Sequence, residues 1–568
     1  MTNSRGFRPF VPTLAYPRVA AMQGRDAHAH GAAGLANPMP RDLLFTPWEA
    51  LYHAPFTGIT TDGVAQPGLF TLEPAGASDG ASDGTPNAAC NGAPTQAMVA
   101  ATLHLIERVS ADQRSALMFP LDAREWRRWN NTEMYVYKYG LRLEEVSVPV
   151  REAMLAVVRA SLSAKGYQKT RDVMRLNHFM GELAGNTRVL GEWSFNFTLF
   201  GAPSIAQPWG WQLCGHHLAL NCLVIGGQMV LTPAFMGAEP NYADTGPWAG
   251  TRLFEDEENG GLALVRALSD AQRERAIIYH SGTGADLPPG RRHRADQLHL
   301  GGAFQDNRII PYEGAEVAGF SKAQRRQLLD LVQAYIEPLP DGAREQQQGR
   351  QEQQDAARKG AHGGPRRARI EEIERHLDAT HFCWIGGTGE DDTFYYRIHS
   401  PVVMIEFDHH SGVFLTNTEP AKFHIHTIVR TPNGNDYGAD LLSQHYARDH
   451  HAGSGRGQSA AQIGHVGAGH EAAPPVVVDD GRDAAAPDQA RRYRAAQAWP
   501  QPHGIAPRHD HAHPHPHPHP HTHTHNQAQG HDHPHSGSHS HSHGDTRHSH
   551  PHHTSSESTG SGGGARPD

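Results

Sequence analysis

KFHIHTIVR, residues 422–430, is the stretch on which the reading of this chain turns. Strand alternation puts Phe423, Ile425, Thr427 and Val429 on one side and His424, His426, Ile428 and Arg430 on the other. Same-side neighbours on a strand lie about 6.6 Å apart, so two imidazoles can turn onto one ion with ligand distances of about 2.0–2.1 Å. An HxH pair on a strand is therefore a competent start to a metal site. Alone it is a weak signal, because a solvated strand also carries polar residues on one face.

Immediately upstream, VVMIEFDHH (402–410) aligns Glu406, Asp408 and His410 on one face, with Phe407 and His409 on the other. If this strand pairs with KFHIH, carboxylates and imidazoles share a wall, the mixture used by zinc hydrolases and by two-His, one-carboxylate iron sites. The plainer reading of Glu406 and Asp408 is that they bond nearby backbone donors. HFCWIGG (381–387), TFYYRIHSP (393–401) and VFLTNT (413–418) complete this strand group. A second group lies earlier, in EWSFNFTLF (192–200) and WGWQLCGHHLALNCLVIGGQMVLTP (209–233), the latter turning at Gly226 and Gly227.

Helical signals surround both groups. SADQR (110–114), SDAQR (269–273) and SKAQR (321–325) each carry Ser with Gln three residues on, the capping box, ahead of an apolar-periodic run. Ser147 with Pro149 begins another helix, with Met154, Leu155, Val158 and Leu162 on one face and Gly166 as its expected stop. Helices flanking two strand groups predict an α+β fold, a mixed domain in which both groups enter one largely antiparallel sheet.

Composition divides the chain further. Residues 1–96 read as an irregular N-terminal segment, with a flexible insertion at 71–96 marked by a repeated ASDG, and the folded domain is expected over 97–450. A Gln- and charge-rich insertion at 341–369 interrupts it. Residues 451–568 lack periodic apolar residues and read as a disordered tail, in which 503–553 holds 20 histidines, many alternating with Pro. Such a run chelates Zn, Ni, Cu or Co in several overlapping registers.

The formal net charge of −10 offers no basic patch, so nucleic acid is not an expected partner. The four cysteines contain no CxxC pair and read as free thiols. No 18 apolar residues run together and no signal-like segment opens the chain, so a cytoplasmic protein without a membrane partner is expected. No P-loop, nucleophile elbow or dinucleotide fingerprint is present.

Further candidates lie in the irregular stretches. Alternation would send His216 and His217 to opposite faces, so one of them joins a site and the other is structural. Trp209 and Trp211 could wall a pocket or be plain core. Glu239, in the Pro- and Gly-bound loop LTPAFMGAEP, is a candidate general base or ligand. Arg430 could clamp an anionic substrate, with an internal ion pair as the plainer alternative. His445, in the helix expected after the Asn433–Gly434 turn, could close the site, while Asp436 or Asp440 caps that helix.

WGWQLCGHHLALN, LTPAFMGAEP, HFCWIGG, FYYRIHSPVVMIEFD, HIHTIVRTPNGNDYG and DLLSQHY, in this order, resemble the bacterial and fungal family called domain of unknown function 3500, over about residues 97–450. The resemblance implies one domain interrupted by extra sequence, and no activity. It also implies that Trp211, His216, His217, Glu406, Asp408, His424, His426, Arg430 and His445 are the recurrent polar positions, with His409 and His410 less typical.

Three functions are compatible with these residues. In the first, a metal-dependent hydrolase or oxidoreductase binds Zn, Fe or Cu on His424, His426 and His217 or a carboxylate, with His216 the alternative to His217 and His445 able to close the site. Glu239, Glu406 or Asp408 then handles protons, and Arg430 orients a small anionic substrate. In the second, the chain buffers or delivers metal through its histidine tail. In the third, it is a ligand-binding or scaffold domain whose histidines are hydrogen-bonded core residues. Oligomeric state is left open.

Overall fold

Both strand groups enter one sheet in the computed structural model, which describes residues 6–72, 92–341 and 364–449. The first half of the chain supplies β1 (Met118–Phe119), β2 (Leu141–Arg142), β3 (Phe195–Phe200), β4 (Trp209–Gly215), β5 (Leu218–Ile225), β6 (Gln228–Val230) and β7 (Ala234–Ala238). Then come β8 (Ile277–Tyr279), β9 (Ala315–Glu316), β10 (His381–Gly386), β11 (Phe394–His399), β12 (Met404–His409) and β13 (Ile425–Arg430). The sheet runs β1-β3-β4-β5-β7-β13-β12-β11-β10-β8, with β2 beside β3, β6 beside β5 and β9 beside β10. Only β1 with β3 and β8 with β10 are parallel, so the α+β, largely antiparallel expectation holds.

The two groups are joined at β7 and β13, where Gly237 stands opposite His426. β12 then pairs β13 with Asp408 opposite His426 and Glu406 opposite Ile428, the register that the shared-wall reading requires. This half of the sheet has two chemically different faces. On one, Trp384 stacks on Phe394 at 4.3 Å between ring centroids and Tyr396 on Phe407 at 5.2 Å. Helices Glu255–Ala267 and Lys322–Ile336 cover these rings, and Tyr396 donates to the Glu257 carbonyl while meeting Tyr335. Each stacked pair adds about 0.5–1.5 kcal/mol beyond the apolar area it buries. The other face carries Tyr395, Arg397, Glu406, Asp408, His410, His424, His426 and Arg430, all buried. Its roof is the segment 291–306, tied down by amide hydrogen bonds to the strand carboxylates.

All three capping boxes form, at Ser110 with Gln113, Ser269 with Gln272 and Ser321 with Gln324. The helix after Ser147 ends at Ser161, not at Gly166. Ser163 accepts from the Gly166 amide and caps a further helix, Ala164–Leu183, so Gly166 opens a helix instead of stopping one. Gly166 packs against Pro338, where a Cβ would fall 2.4 Å from the proline Cα. The irregular N-terminal segment is also corrected. Short helices occupy Pro17–Met22, Ala27–Ala36 and Thr46–Tyr52, and Phe7, Val19, Met22 and Trp48 lie in the main core. The stretches 73–91, 342–363 and 450–568 lie outside the described residues, and with them most of both expected insertions and the histidine-rich tail. Helices begin at Thr95 and Pro365 within the ranges expected to be insertions. Cys214, Cys222 and Cys383 are buried free thiols, and Cys90 lies outside the described residues. Among the described residues, no helix is long and apolar enough to cross a membrane.

Candidate metal centre

Gly215 pairs with Leu218, so His216 and His217 form the two-residue turn between β4 and β5. Alternation therefore does not apply to them. His217 takes φ 63°, a left-handed conformation uncommon for a residue with a side chain, and its carbonyl accepts from the Gly237 amide at 2.8 Å. The two imidazoles are not sent to opposite faces: their ring centroids lie 3.9 Å apart, and they differ in what they meet. His216 Nδ1 lies 2.7 Å from Asn177 Oδ1 on helix Ala164–Leu183, whereas His217 faces the sheet junction.

There His217 meets His424 and His426. One ligand nitrogen from each lies within 4.8 Å of the other two, and His424 Nε2 and His426 Nε2 are 3.1 Å apart. Two nitrogens bound tetrahedrally to one zinc at about 2.0–2.1 Å stand about 3.3–3.4 Å apart, so the pair needs only a few tenths of an ångström to open onto an ion. His424 Nδ1 lies 2.8 Å from the Ser411 carbonyl, which can only accept. Nδ1 therefore carries the proton and Nε2 presents its lone pair inward, the orientation that a metal ligand needs. Burial drives the imidazoles of His217 and His426 well below their usual range, helped by neighbouring histidines, and lowers that of His424. All three are neutral near pH 7, as ligands must be.

The carboxylates separate by what their oxygens already hold. Glu239 accepts from three consecutive amides, of Val413, Phe414 and Leu415, at 2.8–3.2 Å, and its Oε1 lies 3.8 Å from His424 Nδ1. Glu406 accepts from the amides of Leu300 and Gly301 and from the Tyr395 hydroxyl. Burial would raise its pKa, but His299, Arg397 and these donors bring it below the usual carboxylate value. Asp408 accepts only from the Leu298 amide, at 3.1 Å, and Oδ1 has no partner among the described residues. Burial pushes the Asp408 carboxyl up to about 7, against the pull of His299 and that amide. Two carboxylates on one strand face thus sit in environments that drive their acidities apart, the pattern of a site that moves protons.

Arg430 is not a substrate clamp. Its Nε donates to Asp436 at 2.7 Å, Nη2 to Asp306 at 2.6 Å and Nη1 to the Gly301 carbonyl at 3.0 Å, so the fork is consumed inside the protein. Asp436 is correspondingly a partner of Arg430 and of the Thr431 amide, not a helix cap. His445 is buried on helix Ala439–Asp449 and is not one of the three converging histidines. Trp209 and Trp211 are fully buried core, Trp211 donating to Ser161.

Two imidazoles join the cluster against or beyond expectation. His410 stacks against His426 with centroids 3.8 Å apart. Its Nε2 stands 3.1 Å from Asp408 Oδ2 in a direction that makes no hydrogen bond, and Nδ1 has no partner either. His299, from the roof, lies 5.9 Å from His410 and 6.1 Å from His426, with Nε2 unpartnered. Each unpaired buried polar atom costs about 1–3 kcal/mol, a cost a bound ligand would relieve. The only sequence signal for His299 was the Leu-His-Leu alternation at 298–300 inside a polar, Gly- and Arg-rich loop.

Residues 91–439 match the model of a family described as Protein of unknown function (DUF3500). No curated protein and no solved structure matches the chain.

Proposed function

From the premise that this chain belongs to the DUF3500 family, whose description assigns no reaction, we propose that it is a metal-dependent hydrolase of a small substrate, with one divalent transition-metal ion on His217, His424 and His426. The observation that carries this reading is the convergence of three buried, neutral imidazoles from two hairpins far apart in sequence, one with its proton fixed on the outward nitrogen. The donor set suits zinc, and equally iron or copper. A divalent ion there supplies Lewis acidity and makes water acidic near neutral pH.

The chain's own groups then divide the work. Asp408, the carboxylate with an oxygen left over and a pKa near 7, takes and returns the proton. Glu406 fixes the roof over the site through the Leu300 and Gly301 amides. Glu239 fixes the 413–415 loop and so the neighbouring Ser411 carbonyl that aims His424. With Arg430 engaged internally, an anionic substrate loses the residue that suggested it.

A second reading, metal storage or delivery, is favoured by the enclosure of the triad, at most 4% exposed, together with the 20 histidines at 503–553. Elemental analysis of the full chain, beside His424→Ala and His426→Ala variants shown to be folded, tests the shared premise. The tail is identical in all three, so the difference counts metal in the folded body. Equal metal in parent and variants ends both readings that use this centre. Loss in the variants, together with metal-dependent hydrolysis across a panel of esters, amides and phosphoesters, supports the enzyme. Loss of metal with no turnover on any of them supports storage.

A further inference from the structure

His299, His410 and Asp408 stand beside the triad, and four of their buried polar atoms are left over. Asp408 Oδ1, His410 Nδ1, His410 Nε2 and His299 Nε2 have no hydrogen-bond partner among the described residues, and the three side chains are at most 3% exposed. On the same face Glu406 and Arg430 are engaged by amides, carbonyls or opposite charges, while Arg397 Nε and both nitrogens of His399 share the unpartnered condition. Around Asp408 the unpartnered atoms are imidazole nitrogens and a carboxylate oxygen, the donor types that bind transition metals.

His410 stands outside the triad, and among the described residues only the triad's ligand atoms already lie within 4.8 Å of one another, so an ion beside it must draw the surrounding side chains inward. Its ring is tilted by 36° to that of His426, and its Nε2 lies 3.1 Å from Asp408 Oδ2. The pair is carried on one strand face, two residues apart, and the roof is pinned to it by the Leu298 amide on Asp408, which delivers His299. We infer that His299, His410 and Asp408 form a second site for a divalent transition-metal ion, making the buried face a two-metal centre. Two nitrogens and a carboxylate are a donor set for zinc or iron(II). Paired ions about 3.5–4 Å apart are the arrangement of many hydrolytic centres. An ion bound there would hold Asp408 ionised, so in a two-metal centre Asp408 serves as a ligand instead of the proton carrier assigned above.

This inference rests on the first metal site, and the test separates the two. Full-length protein is stripped with a strong chelator, titrated with cobalt(II) and washed with a weak one, and the retained cobalt is counted for parent, His410→Ala, His299→Ala and His424→Ala. Near-UV circular dichroism confirms folding, with His410→Gln replacing a variant that fails. The tail contributes equally to every count. The expected result is a fall of one equivalent from parent to His410→Ala and to His299→Ala. In the parent, the second equivalent should also attenuate the paramagnetic resonance signal of the first, because adjacent ions couple; this measurement needs no variant. If His424→Ala loses cobalt while His410→Ala and His299→Ala retain the parental amount and the signal grows in proportion to added metal, the second site is overturned and the first stands. If no variant loses cobalt, both fall.

Discussion

Gly237→Ala adds one methyl group at the point where both hairpins meet. Built on the existing backbone, that Cβ would lie 2.8 Å from His426 Cδ2, 2.9 Å from the Ile425 carbonyl oxygen and 3.0 Å from His217 Cδ2. Unstrained carbon contacts are about 3.5–4.0 Å, so the rings must retreat by about 0.5–1 Å. The Ile425 carbonyl belongs to the paired β7 and β13 strands and cannot retreat without opening them. Overpacking of this kind costs about 1–3 kcal/mol, and replacing a strand glycine returns about 0.5–1 kcal/mol of backbone entropy, leaving a net loss of up to about 2.5 kcal/mol. Because the displaced rings are two of the three ligands, metal affinity should fall by about 10–100-fold as well. Urea unfolding of the metal-free protein reads the first effect, and competition with a chromophoric chelator reads the second. Gly319→Ala, where a Cβ meets nothing within 4 Å, is the control and should match the parent in both. A Gly237→Ala protein with the parent's unfolding midpoint and metal affinity would show that the imidazoles do not converge across this glycine.

Other perturbations bear on neighbouring parts of the face. Arg430→Ala leaves Asp436 buried without a cation and Asp306 with Arg127 alone, and should cost about 3–5 kcal/mol in chemical denaturation, whereas a weakened KM with unchanged stability would restore the substrate-clamp role. Glu239→Gln keeps the shape but replaces one accepting oxygen by a donor facing the 413–415 amides. It should cost about 1.5–3 kcal/mol and speed amide exchange there, and unchanged exchange would count against the clamp. The metal-free protein should also weaken in acid. His217, His410 and His426 stay neutral when folded, so below about pH 6.5 the unfolded chain binds protons that the folded one refuses, and stability falls by about 1.4 kcal/mol per pH unit for each. Asp408 acts oppositely, holding its proton up to about pH 7 when folded and so losing stability as pH rises from about 4. Three imidazoles outweigh one carboxyl, so the urea midpoint should rise between pH 5 and 6.5, and a flat or falling profile would contradict their burial as neutral rings.

What could be read from the letters was what local rules determine. Capping boxes and period-two alternation act over a few residues, so the three Ser-Gln helix starts and the β12 and β13 strands were legible, as was the placing of His424 and His426 on the same side as Asp408. The N-terminal helices were missed although Pro17, Pro38 and Pro47 each stand in a first turn, because such short helices carry too few periodic positions and owe their stability to the core they touch. His216 and His217 were read as strand because nothing local marks a two-residue turn without glycine, asparagine or aspartate at its centre. Arg430 and Glu239 were given chemical roles because their partners, Asp306 and the 413–415 amides, lie 124 and 174–176 residues away. His299 was overlooked for the same reason, since a roof over a sheet leaves no periodicity in the roof itself.

The seam between β7 and β13 also sets an order of events. About two hundred residues of chain separate His217 from His424, so on a ribosome the first imidazole is synthesised well before its partners exist. No partly made chain can grip the ion, and capture becomes a signal that both hairpins have docked. The part of stopped-flow metal uptake during refolding that His424→Ala abolishes, the tail being common to both proteins, would therefore time the closing of that seam.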